Sequence, residues 1–336
     1  MGCLKRWSAP LILLAAGCAQ APGPSHAVYP TASPSCALST NDRAWLDRSM
    51  AAWNYTSRNI TNIGPVKNLK AVIFDDHCEL TSSTAMNGGP SVWQTQLHPG
   101  QVKLPTGESI PAGMTSFASA DERGNFFVMS TPSVWRANNV NPGTTGLDLL
   151  MTGVLLHEAT HVAQAPTYGR RMDDLTERWK LPEDFNDDSI QKRFEGNAEF
   201  SAAINRETQL LLDAAAAPDR ETSIHLAREA RAMMRGRQDR WYPAADGYLR
   251  EAEDIWLTME GSAQWAAYQW LIDKRGGRLS PQVAGPGFGT RSKWWTQKQG
   301  FALFLVLERL TGDRWKKHAF GDGAKTGLEM LDEAIA

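Results

Sequence analysis

Residues 147–165 read LDLLMTGVLLHEATHVAQA. The stretch is apolar and stops at Pro166, which lacks a backbone donor, with Gly169 close behind. This pattern predicts a buried helix over 147–165. From Leu149 to Gly169 the only formally charged residue is Glu158, preceded by His157 and followed by His161. A spacing of four puts both imidazoles on one helix face, about 40° apart and one turn from each other. Two imidazoles so placed suit two corners of a tetrahedral zinc site. Glu158 then suits a base that takes a proton from water made acidic by the metal. A carboxylate and two imidazoles in so apolar a helix need a partner, because burying unpaired charge is costly, and a cation supplies one.

Upstream of this helix the signals are β. Residues 70–74 (KAVIF) read as a short strand, and 114–119 and 125–130 flank the polar turn ADERGN as a hairpin. Residues 88–113 are turn-rich and yield no assignment. Residues 41–58 read as a helix with Trp45, Met50 and Trp53 near one face. Downstream, helical patterns cover 190–217, 221–237, 248–273, 295–310 and 326–335, of which 295–310 reads as core. Most of the 13 Trp read as core or rim residues. Strands first, then the motif helix, then more helices is an α+β order. The expected fold is a small N-terminal mixed sheet over the HExxH helix, followed by a larger all-helical C-terminal part.

The HExxH run at 157–161 resembles the zincin superfamily of zinc peptidases, specifically over about residues 149–166. The resemblance implies a sheet above the motif helix and hydrolysis of amide bonds, and raises the option that the hairpin offers an edge strand to an extended peptide. The chain departs from the metzincin branch. Thr167 stands six residues after His161, where that branch has a third His, and Gln164 stands three after, where it has Gly. A third ligand would then be a carboxylate further on, as in the gluzincin branch.

Two carboxylates share an EGxA setting, Glu260 in MEGSAQW and Glu195 in FEGNAEF. Glu260 is the only charged residue in 255–272, and Gly261 and Ala263 leave room for a facing helix. Glu195 has a spacing nearer the gluzincin habit. It sits, however, among Asp187, Asp188, Lys192, Arg193 and Glu199, as a solvated face does. The residues favour Glu260, with Glu195 as the alternative. Around the ligands, Gln264 lies one turn beyond Glu260, where gluzincin-like proteins place a residue that orients a ligand His. Glu199 holds that place for Glu195. Tyr268, Tyr168 and Tyr248 are candidates for stabilising an oxyanion, and each reads equally as a packed Tyr with a hydrogen-bonded hydroxyl. Asp187, Asp188 and Glu207 read as facing water.

At the N-terminus, Lys5 and Arg6 precede an apolar run at 11–16 that is too short to span a bilayer. LLAAGC at 13–18 resembles a bacterial lipobox. The resemblance implies a signal peptide over 1–17, lipidation at Cys18, and, with Ala19 next, the outer membrane facing the periplasm. Residues 18–40 read as a Pro-, Ala- and Ser-rich tether, and 41–336 as the folded domain. Cys36 and Cys78 are the even pair left in an oxidising compartment and are expected to form a disulfide. With 35 basic and 37 acidic side chains and no basic run, nucleic acid is not an expected partner. The expected protein is a zinc-dependent hydrolase of peptide or protein substrates, held to the membrane by a lipid anchor. The alternative is a non-catalytic envelope lipoprotein with a structural zinc site.

Overall fold

The computed structural model describes residues 5–6, 36–64, 69–82, 92–121, 124–182, 184–290 and 292–336. Cys18, most of the signal segment and the tether up to residue 35 lie outside the described residues. The strands are β1 (Lys5–Arg6), β2 (Lys70–Phe74), β3 (Cys78–Ser82), β4 (Trp93–Leu97), β5 (Gln101–Lys103), β6 (Ser109–Pro111), β7 (Ser116–Asp121) and β8 (Gly124–Ser130). Five of them form a sheet in the order β7-β8-β2-β3-β4, and β1 adds two residues beside β7. β2 runs parallel to β8 and the other neighbours are antiparallel, so the sheet is mixed, as expected.

KAVIF lacks polar alternation because both of its faces are covered. Ala71 and Ile73 join Phe127 and Met129 in the main core beneath the helices. Val72 and Phe74 join Phe126 and Val128 on the other face, against Val102, Leu104 and Ile110. Those last three belong to or adjoin the β5–β6 ribbon, which the turn-rich composition of 88–113 concealed. A disulfide joins Cys36 to Cys78, with Cα atoms 5.8 Å apart, and ties the segment before the first helix to the start of β3.

The remaining chain is helical: α1 (Thr40–Asn59), α2 (Pro132–Ala137), α3 (Leu147–Gln164), α4 (Arg170–Trp179), α5 (Ser189–Phe194), α6 (Ala198–Ala216), α7 (Arg220–Trp241), α8 (Tyr248–Ile272), α9 (Pro281–Gly285), α10 (Trp295–Thr311) and α11 (Gly327–Ile335). α3 carries the HExxH run and lies between β7 and β8 on one side and α8 on the other. Two helix expectations need correction. Pro166 does not end the helical path. A π-helical turn over Ala165–Gly169 carries the chain into α4, its wider hydrogen-bond spacing accommodating the missing Pro donor. The pattern over 190–217 is two helices, because Gly196 and Asn197 break it and the Asn197 side chain accepts from the Glu199 and Phe200 amides to start α6.

Gly261 of α8 faces Gly300 of α10, where a Cβ on Gly261 would meet the Gly300 carbonyl carbon at 2.3 Å. The facing helix that Gly261 makes room for is therefore α10. This close crossing sits beside Glu260.

Candidate metal centre

α3 presents His157 and His161 one turn apart toward α8, and Glu260 projects from α8 into the same point. The Glu260 Oε2 atom is 3.3 Å from His157 Nε2, and Oε1 is 3.0 Å from His161 Nε2. The two Nε2 atoms are 2.9 Å apart. One ligand atom from each residue lies within 4.8 Å of the others. Glu260 and His161 are 0% exposed, His157 2% and Glu158 1%, so the cluster is sealed from bulk water.

The electrostatics follow from that enclosure. Burial alone would push Glu260 up, but the charge of His161, with His157 behind it, holds its carboxyl well below the usual range. Burial would lower His161, but Glu260 first and Glu158 after it raise the imidazole above its ordinary value. The contacts to Glu260 are close without being directional. Neither of its oxygens accepts a hydrogen bond from the described residues, and His157 Nδ1 likewise has no hydrogen-bond partner among them. Two imidazole nitrogens and two bare carboxylate oxygens converging in a dry site form a donor set that a divalent cation satisfies. Two imidazoles and one carboxylate are a donor set whose chemistry fits zinc.

The other sequence candidates lie elsewhere or do other things. Glu195 is exposed in the break between α5 and α6, and Glu199 is exposed and pairs with Arg240. Gln264 is 4% exposed, yet its Oε1 meets no hydrogen-bond partner among the described residues, so it orients neither histidine through that atom. Tyr268 is half-buried and packs edge-on against Phe301. The Tyr168 hydroxyl donates to the Lys325 carbonyl at 2.6 Å, and Tyr248 packs tilted against Trp179 and edge-on against Phe185.

Three acidic residues expected to face water are buried. Asp187 and Asp188 are each 2% exposed, because the turn before α5 is folded inward and Ile190 joins the apolar cluster of Phe200, Ile204 and Leu249. Desolvation pushes the Asp188 carboxyl up to about 6, opposed by Lys192 and reinforced by Glu260. Glu207 is enclosed with Arg237, whose Nε lies 2.9 Å from one of its oxygens, while Arg237 Nη2 reaches Glu253 at 2.6 Å. Gln299 also donates to Glu207, so one buried polar group links α6, α7, α8 and α10.

Two further features had no reading in the sequence. The Gln164 side chain contacts His161 Nδ1 at 3.2 Å and Ser262 Oγ at 2.7 Å. Its spacing of three from His161 was visible, but its partner stands on another helix. Phe288, in a π-helical turn after α9, presses on α3 at Gly153, one turn before His157; a Cβ there would lie 2.4 Å from the ring. No family model matches this chain, and neither a curated protein nor a solved structure matches it.

Proposed function

We propose that the chain is a zinc-dependent hydrolase, a peptidase that cleaves amide bonds, tethered to the bacterial envelope through lipid on Cys18. One observation carries the reading: His157, His161 and Glu260, from two helices far apart in sequence, converge within 4.8 Å in a buried site beside the acid Glu158. His157, His161 and Glu260 would hold the ion. When bound, zinc supplies Lewis acidity, polarising a substrate carbonyl and making water acidic near neutral pH. Glu158 accepts the proton from the attacking water and returns it to the leaving amine nitrogen. Burial of these side chains between α3 and α8 strengthens these charge interactions.

The same burial favours a second reading, a structural zinc site in a non-catalytic lipoprotein. The two readings part at Glu158. Purified full-length protein is expected to hold about one zinc per chain. Glu158→Gln should keep the zinc and lose all hydrolysis of a peptide library that the wild type cleaves. A wild type that binds zinc, gains stability from it and cleaves nothing supports the structural reading instead. Stoichiometric zinc in His157→Ala or His161→Ala removes both.

The membrane assignment rests on the residues at 13–18. Among the described residues no helix is long and apolar enough to cross a membrane. Cys18→Ser should move the protein from the membrane to the soluble fraction.

A further inference from the structure

Hydrogen-bond donors around Gln164 can be counted outward from atoms whose roles are fixed. Ser262 Oγ lies 2.7 Å from the Thr258 carbonyl oxygen, which only accepts, so the single Ser262 proton points there. Ser262 must therefore accept from its other neighbour, the Gln164 amide group 2.7 Å away. The same Gln164 atom lies 3.4 Å from the Ala319 carbonyl oxygen, a second pure acceptor. Both neighbours require that atom to be Nε2. The Gln164 Oε1 atom then faces His161 Nδ1 at 3.2 Å, and an oxygen there requires the ring to donate. When neutral, His161 thus carries its proton on Nδ1 and turns the lone pair of Nε2 toward Glu260 and His157. That is the tautomer a metal ligand needs. Gln164, Ser262 and His161 are each 0–1% exposed, so water does not compete for these bonds.

His157 has no such support, since its Nδ1 meets no hydrogen-bond partner among the described residues. With both rings neutral, the proton between the two Nε2 atoms, 2.9 Å apart, then belongs to His157.

We infer that Gln164, held by Ser262, is the positioning residue of the site: it fixes the tautomer and ring angle of His161 and joins the motif helix to the helix that bears Glu260. The inference rests on the zinc reading for its purpose, though the tautomer itself does not depend on it. It also makes His161 the preset ligand and His157 the one that adjusts.

Two measurements on the full-length chain test it. The first is ring ¹⁵N NMR of the zinc-free protein at a pH where His161 is neutral. We expect a protonated Nδ1 and a bare Nε2 at His161, with the reverse at His157. Ser262→Ala and Gln164→Leu should erase the His161 preference. The second is zinc affinity by chelator competition. Gln164→Leu should bind about 10–100-fold more weakly, and Gln164→Glu, which when protonated keeps both an acceptor for Nδ1 and a donor for Ser262, should recover most of the loss. A wild-type His161 with its proton on Nε2 overturns the inference, and so does a folded Gln164→Leu with wild-type affinity. If Gln164→Leu does not fold, the wild-type and Ser262→Ala ring spectra still decide it. If the wild type takes up no zinc, the zinc reading fails, and the ring spectra alone decide for or against Gln164.

Discussion

Glu260 and Glu195 share the local sequence EGxA, yet one is buried against two imidazoles and the other is exposed in a helix break. The difference was legible in their neighbours. A lone carboxylate in an apolar helix costs several kcal/mol to bury without a cation, whereas one among charges rests in water at little cost. Glu260→Ala is therefore expected to weaken zinc binding by orders of magnitude, and Glu195→Ala to leave it within about twofold. Competition with a chelator of known strength measures both. Loss of zinc in Glu195→Ala with retention in Glu260→Ala would rule out the site described above. The same reasoning misplaced Glu207, whose neighbours in sequence look solvated. Its partner Arg237 is 30 residues away on another helix, and burial of the pair depends on that distant match. Gln164 was hidden for the same reason: its role depends on Ser262, 98 residues further on.

Elements were readable where periodicity and punctuation agree. The helices at 248–273 and 295–310 match α8 and α10 to within a residue at either end. Punctuation failed where the chain turns without stopping, as at Pro166 in the π-helical turn. It also failed where one pattern hid two helices, as at Gly196. Packing between elements is the next level, and the Gly261–Gly300 crossing shows what sets it. A Cβ on Gly300 would lie 2.6 Å from the Leu257 carbonyl oxygen and 2.8 Å from the Gly261 Cα, all rigid backbone. Gly300→Ala must push α10 away from α8, and overpacking of this kind costs typically 1–3 kcal/mol or more. Glu260 adjoins the crossing, so zinc affinity should fall along with stability. Gly236 on the exposed face of α7 is the contrast, with nothing within 4 Å of its would-be Cβ. Gly236→Ala should leave zinc binding alone and raise stability by about 0.5–1 kcal/mol through helix propensity. Urea unfolding and chelator competition on the two variants separate the effects. An unchanged Gly300→Ala would mean the helices are not seated as described.

At the scale of the molecule, the α+β order was visible because strand and helix signals fall in separate parts of the chain. How the last helix is fastened was not visible. α11 begins at the Thr326 cap, and its start is held from α8 by Asp254. One Asp254 oxygen accepts from the Thr326 hydroxyl at 2.5 Å and the other from the Leu328 amide at 3.1 Å. These bonds favour the carboxylate, yet desolvation outweighs them and pushes the carboxyl up to about 6. The folded chain therefore holds a proton on Asp254 at pH values where the unfolded chain, titrating near 4, has released it. Stability from this group is greatest below about pH 4, is lost as pH rises from about 4 to 6, and stays level above that. Asp254→Asn removes the titration while keeping an oxygen for the Leu328 amide and an N–H for Thr326. Its stability should lie close to the wild type at pH 4 and exceed it at pH 7.5 by roughly 1–3 kcal/mol, the scale set by a shift of about two pH units. Other carboxylates titrate in both proteins, so the difference between their urea unfolding free energies isolates Asp254. A difference that stays constant from pH 4 to pH 7.5 would show that Asp254 is ionised throughout, with the Thr326 and Leu328 bonds dominating its burial. A difference that grows with pH would show that desolvation of Asp254 outweighs its bonds to Thr326 and Leu328, and that this one group makes the fold less stable at neutral pH than in acid.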